Sequence, residues 1–305
     1  MKIVVTGGSG FIGTNLINSI KNKHEVTVFD INPPKLENIS FIRGNISDQK
    51  LVEESIKDFD IVIHLAAAVG VSYTDNEPIK TLDFNIQGTK NVLRACEKNK
   101  IKKIIFSSSS EIYGEPLHLP INENDLAIPI TTYGLSKLVA EEYIKAYSQK
   151  IGLKYTILRF FNAYGANQST NFVIPNFIRL ALENKPITIH HDGSQIRSFC
   201  HIDDIVQGIL LSLNSGENQI FNIGNDSEPI SIKKLAEKVI NLTNSKTSQI
   251  EIPFKESNRN RKEILHRSPD IDKAKKLLGF TPKISLDEGI ICIMEEMRTK
   301  NDNLS

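Results

Sequence analysis

The segment that most limits how this chain can fold is its first. A short apolar, β-branched run, Lys2-Ile-Val-Val-Thr6, passes directly into Gly7-Gly8-Ser9-Gly10-Phe11-Ile12-Gly13 and then into a helix-like stretch from Thr14 to Lys21. Such a run reads as a buried parallel strand. Glycine is needed where a backbone turns tightly, approaches a pyrophosphate closely, or lets a helix pack on a strand. The helix start then offers N–H groups and the positive end of its dipole to phosphates. Three glycines alone say little, but strand, loop and helix in this order are the context that gives the motif meaning. Gly7, Gly10, Phe11, Ile12 and Gly13 are therefore candidate cofactor-binding residues.

A second apolar run, Glu25-Val-Thr-Val-Phe29, ends at Asp30, where a ribose-binding acid is expected after such a loop. Its carboxylate can accept from both ribose hydroxyls and repels a 2′-phosphate, and no arginine follows closely enough to clamp one. The reading is NAD rather than NADP. Strand and helix patterns alternate to about residue 160, with strands expected over 2–6, 25–30, 39–43, 60–65, 102–107 and 153–160. Helices are expected over 10–22, 48–57, 77–98 and 132–151. This alternation predicts an α/β, Rossmann-type, doubly wound parallel sheet with the cofactor across the carboxyl ends of its strands. After Asn162 the pattern turns irregular, with helices expected over 173–184 and 231–243.

Bulk properties narrow the classes. A chain of 305 residues with 40% hydrophobic content can bury a large core. A net charge of +1 without a basic run argues against a charged nucleic-acid-binding face. No apolar stretch is long enough to span a bilayer, and the chain opens directly on a strand rather than a signal peptide. Cys96, Cys200 and Cys292 are isolated and odd in number, which fits a reducing cytoplasm. Cys200 lies close to Arg197 in sequence, and a small packed residue is its expected role. His190, His191 and His201 lack a metal-like pattern, so no metal is expected.

Tyr133 and Lys137 lie four residues apart, on one face of an expected helix. A neighbouring positive charge favours a phenolate, so this spacing predicts a general base usable near neutral pH.

With that pair downstream of the glycine loop, the chain resembles the extended short-chain dehydrogenase/reductase family of NAD-dependent nucleotide-sugar epimerases, dehydratases and decarboxylases. The resemblance rests on Thr6 to Gly13, Ile63-His64-Leu65-Ala66-Ala67, Asn85-Ile-Gln-Gly88-Thr89, Ser107 to Gly114, Arg159 to Gly165, Asp192 to Phe199, and the tail from Asp270 to Phe280. It implies a UDP-glucose 4-epimerase-like enzyme with a Rossmann domain over 1–165 and a smaller C-terminal α/β lobe for a nucleotide sugar over 166–305. One element after about residue 200 is expected to return to the first domain. The resemblance places Leu65, Ala66, Ala67 and Ser107 along the cofactor and the catalytic hydroxyl on Ser109. It gives Asn45 and Ile46 to the adenine end, although many relatives carry Asp where Asn45 stands.

By the same resemblance, Tyr133 removes a sugar hydroxyl proton while hydride passes to NAD⁺. Lys137 lowers the tyrosine pKa and bonds the nicotinamide ribose. Asn162, Val173 and Arg197 fall on substrate-binding segments, Arg197 offering a planar fork to a diphosphate. Arg261 and Glu263 stand where relatives complete the nucleotide pocket. Glu111 divides the fates of a 4-keto sugar: a dehydratase or a UDP-glucuronate decarboxylase uses such a carboxylate, whereas a 4-epimerase does not need it. Phe172-Val-Ile-Pro175 looks epimerase-like, and the expectation is a UDP-hexose 4-epimerase. A non-catalytic binder of NAD and nucleotide sugars is the alternative of a different class, and the intact Ser109, Tyr133 and Lys137 set argues against it. Helices over 77–98 and 132–151 pair across a two-fold axis in this family, so a homodimer is expected.

Overall fold

A computed structural model describes residues 1–253 and 263–302. The chain begins with β1 (Lys2–Thr6), α1 (Phe11–Ile20), β2 (Glu25–Asp30), β3 (Ser40–Arg43), α2 (Gln49–Ser55) and β4 (Ile61–His64). Next come α3 (Val71–Asn76), α4 (Pro78–Leu82), a π-helical turn (Asp83–Gln87), α5 (Gly88–Asn99), β5 (Lys103–Ser109) and a 3₁₀ turn (Ser110–Tyr113). Then follow α6 (Thr132–Ile151), β6 (Lys154–Phe160), β7 (Ala163–Tyr164), α7 (Val173–Leu182), β8 (Ile187–His190), β9 (Ile196–Arg197), β10 (Cys200–His201) and α8 (Ile202–Asn214). The chain finishes with β11 (Gln219–Ile223), β12 (Ile230–Ser231), α9 (Ile232–Thr243), β13 (Gln249–Ile252), β14 (His266–Arg267), α10 (Asp272–Leu278) and α11 (Leu286–Asp302).

Seven strands pair in the order β3-β2-β1-β4-β5-β6-β11, every pair parallel. Chain direction across the sheet reverses beside β1, so a crevice opens at the carboxyl ends of β1 and β4. The inner strands are continuous apolar runs because both faces are covered. Val5, Ile63 and Ile105 pack under α1 and α8, while Val4, Val62 and Ile104 pack under α5 and α6. The expected parallel sheet is what the structure holds. A separate cluster built on Ile178, Leu235 and Ile290 joins α7, α9 and α11.

The expected helix over 77–98 is interrupted by the π turn at Asp83–Gln87. That wider turn carries Asn85 inward, where Oδ1 accepts from Ala68 N (2.7 Å) and Nδ2 donates to Ser136 Oγ (2.9 Å). Helix α6 covers the expected 132–151, capped by Thr131 and ended by Gly152 in the left-handed region. Among the described residues, no helix is long and apolar enough to cross a membrane.

The glycine loop is held by close backbone contact. A Cβ on Gly13 would lie 2.5 Å from Gly7 O and 2.6 Å from Gly8 Cα. Gly13→Ala must therefore push α1 off the loop, and we expect a stability loss of about 1–3 kcal/mol. Thermal denaturation checks this; an unchanged melting temperature would contradict the packing described.

Candidate active site

A cavity of about 690 Å³ runs along the crevice from the glycine loop to β8, within the range of specific ligand clefts. Gly7, Gly10, Phe11, Ile12 and Gly13 line one end, with Asp30 and Ile46 beside them. Leu65, Ala66 and Ala67 form the adjoining wall. Ser107, Ser109, Glu111, Tyr133 and Lys137 follow at the ends of β5 and α6, and Asn162, Val173 and Arg197 line the far end. Arg261 lies outside the described residues, whereas Glu263 lines the cavity and its carboxylate accepts from Arg197 Nη2 (3.4 Å).

The glycine end fits a dinucleotide pyrophosphate. Gly10 caps α1 with no side-chain hydrogen bond, and no acidic residue stands in the first turn, so the positive helix end faces the cavity without a competing anion. Gly7 has φ +73°, and a Cβ there would lie 2.5 Å from Ala66 N, so only glycine keeps the loop this close to β4. Asp30 ends β2 beside this loop and accepts from Ser9 N and Asn32 N, both at 3.0 Å. Asn45 departs from expectation. It is not among the residues lining the cavity, and its Oδ1 accepts from Ser47 N (2.9 Å) in a local turn.

At the reaction end, Ser109 and Tyr133 line the cavity together, and the Ser109 hydroxyl lies near enough to favour the ionised phenol. Lys137 Nζ is buried, donates to Ser107 O (2.7 Å), and lies 4.7 Å from the centre of the Phe106 ring. It stands 5.8 Å from the centre of the Tyr133 ring. Burial, rather than Lys137, sets the direction for the tyrosine in this structure. Burial pushes the Tyr133 phenol up, the Glu111 charge adds to this, and Ser109 and Arg267 pull the other way. Burial also pulls Lys137 down to about 7, against the charge of Glu141. The ammonium is thus itself short of solvation and anchored on a carbonyl.

Glu111 accepts from Thr131 Oγ1 (2.8 Å) and faces Arg267 at 3.7 Å. Arg267 also lines the cavity and reaches Asn162 Oδ1 (3.4 Å), while Asn162 Nδ2 donates to Ser198 O (2.9 Å). Sequence reasoning missed Arg267. It stands three residues before the Asp270 segment, on β14, and long-range contacts of that segment with β9 and with Ile121 bring it to Glu111. Cys200 is wholly buried within the core and packs as a small apolar residue.

The fold and this site define a class: an NAD-dependent enzyme of nucleotide-sugar epimerisation, dehydration or decarboxylation. A model of the NAD dependent epimerase/dehydratase family matches residues 3–224, and the chain belongs to that family, whose cofactor is NAD. The chain is similar to a putative UDP-glucose 4-epimerase of Methanocaldococcus jannaschii, with 37% identity over 98% of this chain and 99% of that protein. It is also similar to a UDP-N-acetyl-alpha-D-glucosaminuronate decarboxylase of Bacillus cytotoxicus, with 34% identity over 95% of each chain. Among solved structures, the UDP-glucose 4-epimerase of Thermotoga maritima, crystallised with UDP-glucose, superposes with a TM-score of 0.92 at 32% identity, over 99% of this chain and 100% of that one.

His64 sits fully buried between Thr6 Oγ1 (2.7 Å) and Thr89 Oγ1 (3.1 Å), tying β1 to β4 and α5. Burial, then the charge of Lys137, pushes its pKa down to about 3 from an ordinary 6.5. The unfolded chain binds this proton below about pH 6.5 while the folded chain does not until near 3. The group therefore takes away about 1.4 kcal/mol of stability per pH unit as pH falls through that window, and has no effect above it. NMR should show His64 neutral at pH 5, with a titration near 6.5 contradicting this.

Proposed function

We propose that the chain is a UDP-hexose 4-epimerase of the UDP-glucose/galactose type, working through a 4-keto intermediate. The observation that carries this reading is the state of Glu111. Thr131 Oγ1 donates to its carboxylate and Arg267 faces it at 3.7 Å, so the group beside Tyr133 is held in place by its neighbours. Epimerisation needs only reversible proton transfer at the sugar hydroxyl, which Tyr133 and Ser109 can provide, whereas loss of water needs a further acid. The likeness to UDP-glucose 4-epimerases along the whole chain supports the same reading.

When bound, NAD⁺ supplies a reversible hydride acceptor and a positive ring charge. The glycine loop and the α1 N-terminus hold the pyrophosphate, Asp30 accepts from ribose hydroxyls, and Leu65 to Ala67 form the wall. As a phenolate, Tyr133 Oη takes the proton of the 4-hydroxyl while Ser109 hydrogen-bonds the same oxygen. Lys137 contributes an ammonium held against Ser107 O. Arg197 binds the substrate diphosphate, and Asn162 and Val173 close the pocket around it. This set takes its members from those expected from the sequence; it leaves out Asn45, gives Glu111 no catalytic step and adds Arg267, while Arg261 lies outside the described residues.

A second reading has its own observation. Arg267 places a buried guanidinium beside Glu111 at the sugar end, and such a fork suits a C6 carboxylate. This favours decarboxylation of a UDP-hexuronate over dehydration. We also propose a homodimer through α4 and α6, where Ile79 and Leu135 are exposed.

Incubation with NAD⁺ and a panel of nucleotide sugars, followed by mass spectrometry and sugar-resolving chromatography, tests the reaction. The proposal predicts an isomer of unchanged mass from UDP-glucose; loss of CO₂ from a UDP-hexuronate would move the assignment to the second reading. Tyr133→Phe should lower kcat by about 10²–10⁴-fold while NAD still binds in calorimetry. Full activity in that variant would contradict the mechanism. Light scattering at micromolar concentration should report twice the chain mass, and a monomer would retire the dimer.

A further inference from the structure

Glu141 lies one helical turn beyond Lys137 and two beyond Tyr133, on the same face of α6. It is 0% exposed, and its partner Arg159 is 4% exposed. Neither is among the residues lining the cavity. Arg159 Nε donates to Oε1 (3.1 Å) and Nη2 to Oε2 (2.8 Å), a two-pronged pair. Ser108 Oγ donates to Glu141 Oε1 (2.5 Å), and Ser108 faces Arg159 in register across β5 and β6. The remaining arm of Arg159, Nη1, donates to Tyr113 Oη (2.8 Å) and Glu123 O (3.1 Å). Tyr113 Oη in turn donates to Asn222 Oδ1 (2.7 Å) on β11.

This one ion pair therefore touches four segments that bring groups to the reaction end. It contacts the strand carrying Ser109, the turn carrying Glu111, the helix carrying Tyr133 and Lys137, and the strand leading to Asn162. A buried ion pair is a weak source of stability, because desolvation offsets its attraction and apolar replacements are often neutral or better. Fixing register is the better-attested use of such a pair.

We propose that Glu141 and Arg159 are the positioning pair of this site: they lock the Ser109 strand end against the Tyr133–Lys137 face of α6. This rests on the reading that Ser109, Tyr133 and Lys137 form the reacting set. The groups around Lys137 support it. From α6 come Tyr133 and Glu141; from β4, His64, held neutral; from β5, the Ser107 carbonyl and the Phe106 ring. From β6 comes Arg159, whose charge Glu141 takes up. Glu111 and Arg267 act on the phenol from the far side. Glu141 is the anion that raises Lys137 against burial.

Removing the Glu141 charge lets Lys137 lose its proton at lower pH, so the alkaline limb of kcat moves toward acid. In the full-length chain loaded with NAD⁺, Glu141→Gln should lower kcat about tenfold or more and shift that limb by about one pH unit, with KM little changed. NAD affinity by calorimetry should be retained. Glu141→Leu with Arg159→Met removes both charges in a form expected to fold, and should show the same kcat loss and limb shift. A folded variant whose limb stays where the unmodified protein has it, with or without a loss of kcat, would overturn the proposal. Tyr133→Phe run alongside separates the two failures. Full turnover there defeats the reacting set itself, whereas an inactive Tyr133→Phe beside an unaltered Glu141→Gln defeats the positioning role alone.

Discussion

Three polar side chains descend one face of α6, and none of them can be buried alone. Tyr133 lines the cavity near Ser109, Lys137 donates to the Ser107 carbonyl, and Glu141 meets the Ser108 hydroxyl and the Arg159 guanidinium. An unpaired buried charge costs several kcal/mol, about 3–5 when one partner of a buried pair is removed. The helix therefore has one position against the end of β5 at which every demand is met. That position sets the distance from phenol to serine, and the rest of the reaction end is arranged around it. Burial draws the Lys137 amine down to about 7, and the charge of Glu141 below opposes that pull.

The cofactor end answers a different constraint. Parallel strands with helices on both faces leave a crevice where strand order reverses, and the glycine loop fills its floor with backbone alone. Gly13 lets α1 sit against Gly7 and Gly8, and Gly7 lets the loop sit against Ala66, so the helix end points into the cavity with no side chain in the way. His64 then joins the ends of β1 and β4 to α5 through two threonine hydroxyls. Its neutrality follows from burial, and a charged imidazole there would face Lys137.

The sheet was legible because its inner strands are buried on both faces and read as unbroken apolar runs between turn residues. Helix α6 was legible to the residue, since Thr131 caps it and Gly152 ends it. Less visible was whatever depends on partners distant in sequence. The π turn exists with Asn85 bonded to Ala68 and Ser136, neither of which the helical pattern reveals. Arg267 reaches Glu111 through pairings distant in sequence, of β14 with β9 and of Pro269 with Ile121. Asn45 sits where an adenine contact was expected, but its side chain closes a local turn, which position alone cannot tell. The Tyr133–Lys137 spacing correctly put both groups on one face. It could not show that burial raises the phenol and lowers the amine, because those shifts come from the surrounding protein.

The central claim is that the reaction end takes a hydrogen from the sugar C4 and returns it to the same carbon within one closed site. UDP-glucose bearing deuterium at C4, incubated with the NAD⁺-loaded chain in ordinary water, tests this directly. The account predicts UDP-galactose that retains the deuterium at C4, with unchanged total mass. A product that has exchanged the label with solvent, or one that has lost water, would contradict it.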